Sequence, residues 1–260
     1  FKQKTAYEIR LSLVGSEMCI RDRRLGKTAR TKKEIECFGK FYRQFLSPGE
    51  LCFDIGANLG NRTRCFAYLG CKVVAVEPQP KCFKILVKEF GGNPNIELVN
   101  AAVGKISGTG KLHLSADHVL STLSQSFMEE TTRSGRFSSI RWNKVEDVAM
   151  TTLDQLIAGH GEPRFIKIDV EGYESEVISG LTRPVPALSI EWVPELPENA
   201  RICLHHLMEL GDYEFNISWG ESMKFSRPQW RSARSILAVI EELEGDTELF
   251  GDIYAKLKSS

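Results

Sequence analysis

The sequence predicts an α/β fold built on a parallel sheet, and three stretches carry that prediction. The first is Cys52-Phe53-Asp54-Ile55-Gly56-Ala57-Asn58-Leu59-Gly60-Asn61. It reads as a buried strand, a tight glycine turn and the start of a helix, because a short apolar run between turn residues suits a strand covered on both faces. The second is Lys72-Val73-Val74-Ala75-Val76-Glu77-Pro78, another apolar run closed by an acid. The third is Arg164-Phe165-Ile166-Lys167-Ile168-Asp169-Val170-Glu171-Gly172-Tyr173-Glu174, which repeats the order of strand, acid, glycine turn and helix. Acids at the carboxyl ends of parallel strands point into the crevice where such sheets bind ligands.

The whole chain sets bounds on what that crevice serves. Its 260 residues suffice for one large domain with a sizeable core. Lysine plus arginine and aspartate plus glutamate both number 34, so the formal net charge is zero. That balance argues against a general nucleic-acid or membrane-surface binder. No apolar run is long enough to span a bilayer. The seven cysteines form no C-x-x-C pair and lie mostly inside apolar runs, which reads as reduced thiols of a cytoplasmic protein without a metal site.

The N-terminus has a different character. Leu13-Val14-Gly15-Ser16-Glu17-Met18-Cys19-Ile20-Arg21-Asp22 reads like a translated sequencing adapter, because the codons of a transposase-end adapter encode these residues in order. Residues 1–23 are therefore expected to be a non-native tail, set aside from the fold like an expression scar. Residues 24–50 are expected to form a helical cap, since Ile35, Phe38, Phe41, Tyr42, Phe45 and Leu46 share one stripe. Residues 51–260 are expected to form the main domain.

Past the second strand, Phe83, Leu86, Val87 and Phe90 predict a helix stopped by Gly91-Gly92. Residues 96–103 read as a third strand. Asn100 and Ala101 near its end suit an approach to a purine ring, since a small residue permits stacking and an amide can pair with a base edge. Residues 111–114 look like a short hairpin arm. Residues 115–143 are rich in Ser, Thr, Gly and Arg, with Phe127, Met128, Phe137 and Trp142 as anchors. A long irregular insertion of this kind suggests a substrate lid. Arg133, Arg136, Arg141 and Lys144 within and beside it could read an anionic acceptor, although a solvated basic loop is the plainer reading. Further strands are expected at 145–150, 187–192, 213–218 and 252–255, and helices at 199–210 and 231–243. Glu174 and Glu176 read as first-turn helix acids favoured by the macrodipole.

The turn chemistry narrows the ligand. A dinucleotide loop wants G-x-G-x-x-G, so that a pyrophosphate can lie on the backbone. Gly56-Ala57-Asn58-Leu59-Gly60 lacks that spacing, and Asp54 would repel a pyrophosphate. An acid there suits an ammonium or hydroxyl groups, and S-adenosylmethionine (SAM) carries both. Asp54, Gly56, Asn58, Gly60, Glu77, Asn100 and Ala101 are thus the candidate cofactor-binding residues. Glu77 stands where an acid accepts from a ribose diol. Asp169 and Glu171 are the candidate catalytic residues, and Asp169 suits a grip on the SAM ammonium equally well.

Five motifs in order strengthen this reading. They are Phe53-Asp54-Ile55-Gly56-Ala57-Asn58 with Gly60, Val76-Glu77-Pro78, Asn100-Ala101-Ala102-Val103-Gly104, Thr152-Leu153-Asp154, and the stretch from Ile166 to Glu174. Together with the terminal Gly251-Asp252-Ile253-Tyr254-Ala255, they resemble the FkbM family of SAM-dependent methyltransferases. The resemblance implies the class I methyltransferase (Rossmann-like) fold. That fold is a three-layer sandwich on a seven-stranded, mostly parallel sheet with one antiparallel strand near an edge. It also implies O-methylation of a hydroxyl on a sugar, glycan or secondary metabolite, hence a small-molecule or glycan acceptor. Residues 115–143 match nothing in that resemblance, so the acceptor itself does not carry over. A nicotinamide-dependent oxidoreductase and a non-catalytic SAM-binding protein are the alternatives, the first disfavoured by the glycine spacing.

Overall fold

The computed structural model describes residues 32–115 and 120–258. The tail expected at 1–23, the start of the expected cap and residues 116–119 of the expected lid lie outside the described residues. In chain order the first elements are α1 (Lys32–Tyr42), β1 (Leu51–Ile55), α2 (Asn61–Tyr68), β2 (Lys72–Val76), α3 (Pro80–Phe90), β3 (Ile96–Val99), β4 (Ala102–Val103) and β5 (Gly108–Ser115). They are followed by α4 (Gln125–Arg133), β6 (Trp142–Thr151), α5 (Leu153–His160), β7 (Phe165–Ile168), α6 (Glu174–Ile178), β8 (Ala187–Trp192), α7 (Pro197–Leu210), β9 (Tyr213–Trp219), α8 (Ala233–Glu242) and β10 (Gly251–Leu257).

Seven strands form one sheet in the order β3-β2-β1-β7-β8-β10-β9. β10 runs antiparallel to both of its neighbours, while β3, β2, β1, β7 and β8 pair in parallel. This is the class I methyltransferase sheet. The chain leaves β1 toward β2 on one side and reaches β7 on the other. The strand order therefore reverses at β1 and β7, and the crevice for a ligand opens there.

Each sheet face has its own apolar cover. Phe53, Ile55, Val74, Ile166, Ile168 and Leu188 face Leu156, Ile178, Leu204 and Ile236 from α5, α6, α7 and α8. Cys52, Val73, Ala75 and Phe165 face Phe38, Tyr42, Phe66 and Leu86 from α1, α2 and α3. Strict alternation along strands buried on both sides gives the near-continuous apolar runs seen in the sequence. Beyond α1, Phe45 stacks on Phe165 at 5.0 Å and on Tyr254 at 5.6 Å, which ties the N-terminal segment to the sheet.

Two expectations need correction. Residues 96–103 form two strands in two sheets, not one. β3 ends at Val99, and β4 joins β6 and β5 in a separate three-stranded sheet. Asn100 causes the break: its amide donates to the carbonyls of Glu77 and Pro78, at 2.8 and 3.3 Å, and ends the ladder beside β2. The insertion is also not wholly irregular, since it carries α4, capped by Ser124, whose Oγ accepts from the Phe127 N–H at 3.1 Å. Only Phe127 and Thr131 of α4 are buried, so its period is faint in the sequence. No helix among the described residues is long and apolar enough to cross a membrane.

Gly56 shows how tightly the strand ends meet. Its φ is +81°, and a Cβ there would come within 1.9 Å of the Asp169 carbonyl oxygen. Gly49 has a similar φ of +85° but open space around it. Gly56→Ala is expected to lower stability by about 3 kcal/mol or more, from backbone strain plus overpacking, against about 1 kcal/mol for Gly49→Ala. Urea midpoints at constant m-value measure both. Equal shifts would show that the backbone contact is not what requires the glycine.

Candidate active site

The glycine turn is fastened to β2 by its backbone. The N–H groups of Gly56 and Ala57 both donate to the Val76 carbonyl at 3.0 Å. Asn58 stands at φ +50°, a left-handed conformation that asparagine tolerates better than most residues. Its N–H donates to Glu77 Oε2 at 2.7 Å, and the Gln79 N–H donates to Glu77 Oε1 at 2.8 Å. Each carboxylate oxygen has a second lone pair for a further donor. Burial pushes the Glu77 carboxyl up to about 7, against the pull of the Gln79 and Asn58 N–H groups. Asp54 is buried and accepts from Thr63 Oγ1 at 2.5 Å. Burial raises its carboxyl too, with the Thr63 hydroxyl, Arg62 and Lys167 pulling it back.

The structure brings Asp54, Gly56, Asn58 and Glu77 together around this turn. Gly60 and Asn100 take supporting places. A Cβ at Gly60 would meet the Phe90 ring at 2.5 Å, so this glycine lets α3 pack under the turn. The Asn100 amide nitrogen is committed to the backbone at the end of β2, which leaves the expected pairing with a base edge without that donor. Ala101 is buried beside it.

The other wall is the loop after β7. The Asp169 N–H donates to the Ile55 carbonyl at 3.0 Å, continuing the β1–β7 pairing. Glu171 stands at φ +53° and is only 8% exposed. A long side chain in that conformation persists only where its surroundings hold it. Glu174 supplies the hold: its Oε1 accepts the N–H groups of Val170 and Gly172 at 3.1 and 3.2 Å, and its Oε2 accepts from Asn199 Nδ2 at 2.6 Å. The sequence offers Glu174 only as a helix acid; in the fold it organises the loop. Asp169, Glu171 and Glu191 of β8 bring carboxylate oxygens within 4.8 Å of one another. Carboxylates this close suit a cation or hydroxyl donors placed between them. Oxygen sets of this kind also suit hard divalent cations, but acids alone do not make a metal site.

Beneath these acids lies a residue that the sequence reading passes over. Lys167 is fully buried in β7, and its Nζ donates to Asp252 Oδ1 at 2.7 Å and Asp169 Oδ2 at 3.3 Å. Burial pulls this ammonium down, yet Asp169 and Asp252 outweigh that effect and hold it charged. A lysine between Ile166 and Ile168 was the available signal, since it breaks an otherwise apolar strand. Nearby, Arg62 of α2 pairs with Glu221 at 2.7 Å and stacks on Phe38 at 4.7 Å.

The insertion touches both walls. Gln79 Nε2 donates to Ser121 Oγ at 2.9 Å, and Thr122 Oγ1 donates to the Glu171 carbonyl at 2.7 Å. Phe127 packs so closely on the next loop that a Cβ at Gly172 would meet its Cβ at 2.6 Å. Arg136 donates to Glu195 Oε1 at 2.5 Å and to the Leu249 carbonyl at 2.6 Å. Arg133 pairs with Glu130, Lys144 with Glu146, and Arg141 donates to the Ser138 and Ile140 carbonyls. The four cations considered for an anionic acceptor thus serve contacts of the insertion itself or its dock.

The profile of the methyltransferase FkbM domain matches residues 54–217, from the first strand-end acid to β9. The chain belongs to the FkbM methyltransferase family. No curated protein matches it. Several solved structures resemble this FkbM methyltransferase in overall course. A precorrin-6y C5,15-methyltransferase from Geobacter metallireducens is 13% identical, with a TM-score of 0.45 over 88% of this chain and 92% of its own. An rRNA methylase from Streptococcus thermophilus is 14% identical, with a TM-score of 0.41 over 88% of this chain and 100% of its own. TYW2 from P. horikoshii, in complex with MeSAdo, is 12% identical, with a TM-score of 0.41 over 90% of this chain and 67% of its own. These scores are low, so the fold of the FkbM chain stands on its own strand order, and nothing about its acceptor follows from these neighbours.

Glu77 gives this site a pH signature. In the folded chain its carboxyl holds its proton up to about pH 7, against an ordinary value of 4.5. Between those values the folded state binds more protons than the unfolded one, so stability falls as pH rises. The shift corresponds to about 3 kcal/mol, fully present below the ordinary value and lost as pH passes 7. Thermal melts of the ligand-free chain from pH 5 to 8 are expected to show this decline, and Glu77→Gln should flatten it. An equal slope in the variant would remove Glu77 as its source.

Proposed function

We propose that this methyltransferase transfers a methyl group from SAM to a hydroxyl on a sugar, glycan or secondary metabolite. The supporting observation is the set of three carboxylates, Asp169, Glu171 and Glu191, gathered at the ends of β7 and β8 beside the glycine turn. SAM, when bound, supplies an electrophilic methyl carbon on a sulfonium. The residues present suit such a cofactor. Gly56 lets the turn meet the Asp169 loop backbone to backbone, and the surroundings are acidic rather than built for a pyrophosphate. Glu77 would accept from the ribose diol. Asp54 and Asp169 would face the ammonium end, and Asn58 shapes the turn between them.

An alcohol keeps its proton at neutral pH, so the chain must orient the acceptor oxygen and remove that proton. Glu171 is the base in this reading. The left-handed backbone and the Glu174 clamp fix where its side chain starts. Orientation alone can supply several orders of magnitude, and a general base typically adds about a hundred- to ten-thousand-fold. The acidic crevice, with the insertion's cations paired elsewhere, supports a neutral polyhydroxyl acceptor over an anionic one. The zero formal net charge supports a small-molecule or glycan acceptor over a nucleic acid or a membrane surface. The free cysteines among the described residues suit the cytoplasm.

Glu171→Gln keeps the shape of the side chain. It is expected to preserve SAM binding while kcat falls by about a hundredfold or more. The assay is transfer of label from SAM to sugar, glycan and metabolite mixtures, with calorimetry for SAM. Near-normal turnover in Glu171→Gln would reject the carboxylate mechanism. No transfer by the unaltered chain to any hydroxyl acceptor would reject O-methylation.

A further inference from the structure

Lys167 stands in the most buried part of the sheet. Its neighbours along β7 are Phe165, Ile166 and Ile168, all fully buried, and Lys167 itself has no exposure. A charge in such a place is expensive to desolvate, and a buried ion pair is often no more stable than an apolar replacement. Stability alone therefore does not explain this lysine. The two carboxylates it holds differ in kind. Asp252 Oδ1 lies at 2.7 Å, and its side chain is 6% exposed. Asp169 Oδ2 lies at 3.3 Å, and its side chain is 32% exposed, at the crevice. One arm of the clasp is an anchor inside the protein, and the other reaches the site.

The strand register explains the reach. Lys167 sits opposite Asp54 of β1 and Ser189 of β8. One pleat further along the same face, Asp252 pairs across from Glu191. Side chains two residues apart on a strand share a face, so Lys167 and Asp169 point the same way. The Asp169 backbone is already fixed by its N–H bond to Ile55 at 3.0 Å and by the close approach of Gly56. What remains to be set is the carboxylate rotamer, and the ammonium below sets it.

We propose that Lys167 is a positioning residue: anchored by Asp252, its ammonium holds the Asp169 carboxylate in the orientation that receives the cationic amino-acid end of the cofactor. This rests on the reading of the crevice as a SAM site. Lys167 touches no reacting atom and acts through Asp169. A role in packing alone would weaken all ligands of the crevice alike. A role through Asp169 would weaken only those that carry the amino-acid tail.

The test compares S-adenosylhomocysteine, which has the tail, with methylthioadenosine, which lacks it, by calorimetry on the full chain. Lys167→Met alone would strand Asp252 as a buried charge, so the variant is Lys167→Met with Asp252→Asn. It is expected to lose about tenfold in affinity for S-adenosylhomocysteine and less than about twofold for methylthioadenosine, the size of one charge-assisted hydrogen bond. Adding Asp169→Asn to that variant should change the first figure by less than about twofold, because coupled residues are non-additive. Equal losses for both ligands, unchanged affinity, or full additivity would each overturn the proposal. The unaltered chain gives a second measurement that does not depend on the variant's folding. With lysine labelled by 15N, the buried, hydrogen-bonded ammonium of Lys167 should give a slowly exchanging signal that moves with S-adenosylhomocysteine and not with methylthioadenosine. A signal indifferent to both, while both bind, overturns the proposal. If the unaltered chain binds neither ligand, the SAM reading fails first and this inference falls with it.

Discussion

Gly56 allows the turn after β1 to lie directly against the Asp169 carbonyl, and no residue with a side chain could occupy that gap. The contact is backbone to backbone, between the ends of the two central strands. It brings the loop after β7 beside the turn after β1, so the acids of both serve one crevice. The Glu77 carboxylate completes the arrangement from the β2 side by accepting the Asn58 N–H. Three strand ends are thereby fixed relative to each other by contacts of the chain itself, a preorganisation that group transfer benefits from.

Around this frame the protein tolerates several buried charges. Asp54, Glu77, Lys167, Glu171, Glu174 and Asp252 are all buried, where an unpaired ion is costly. Five of them have supports that can be named: a hydroxyl for Asp54, backbone N–H groups for Glu77 and Glu174, two carboxylates for Lys167, and Lys167 in turn for Asp252. Such networks specify geometry more than they add stability, because removing one member strands the rest. The acids outnumber the bases at the crevice, which suits a ligand with a positive charge.

The insertion between β5 and β6 is docked rather than loose. Its strap contacts Gln79 on one wall and the Glu171 carbonyl on the other, and Phe127 fills the space that Gly172 leaves. Leu120, Phe127, Val193 and Phe250 form a small apolar cluster of their own beneath it. A covering held by a few hydrogen bonds and one small cluster opens more readily than the main core.

The sequence by itself determined the sheet, the turn and the family. Apolar runs ended by Asp54, Glu77 and Asp169 are legible because burial on both faces and a strand-end acid leave a local mark on the chain. The glycine positions are legible for the same reason, since a positive φ or a close approach excludes other residues locally. The tertiary structure alone decided what depends on partners distant in the chain. Asn100 looked like a base-reading amide until its partners proved to be backbone carbonyls on β2. Glu174 looked like a helix acid until the loop it clamps was in view. Lys167 drew no attention because its meaning lies in Asp252, 85 residues away. The insertion's arginines were equally ambiguous, since a charged side chain carries no local sign of whether it faces solvent, a ligand or a buried glutamate. Backbone demands are written in neighbouring residues; the pairing of polar side chains is settled only when the strands are laid side by side.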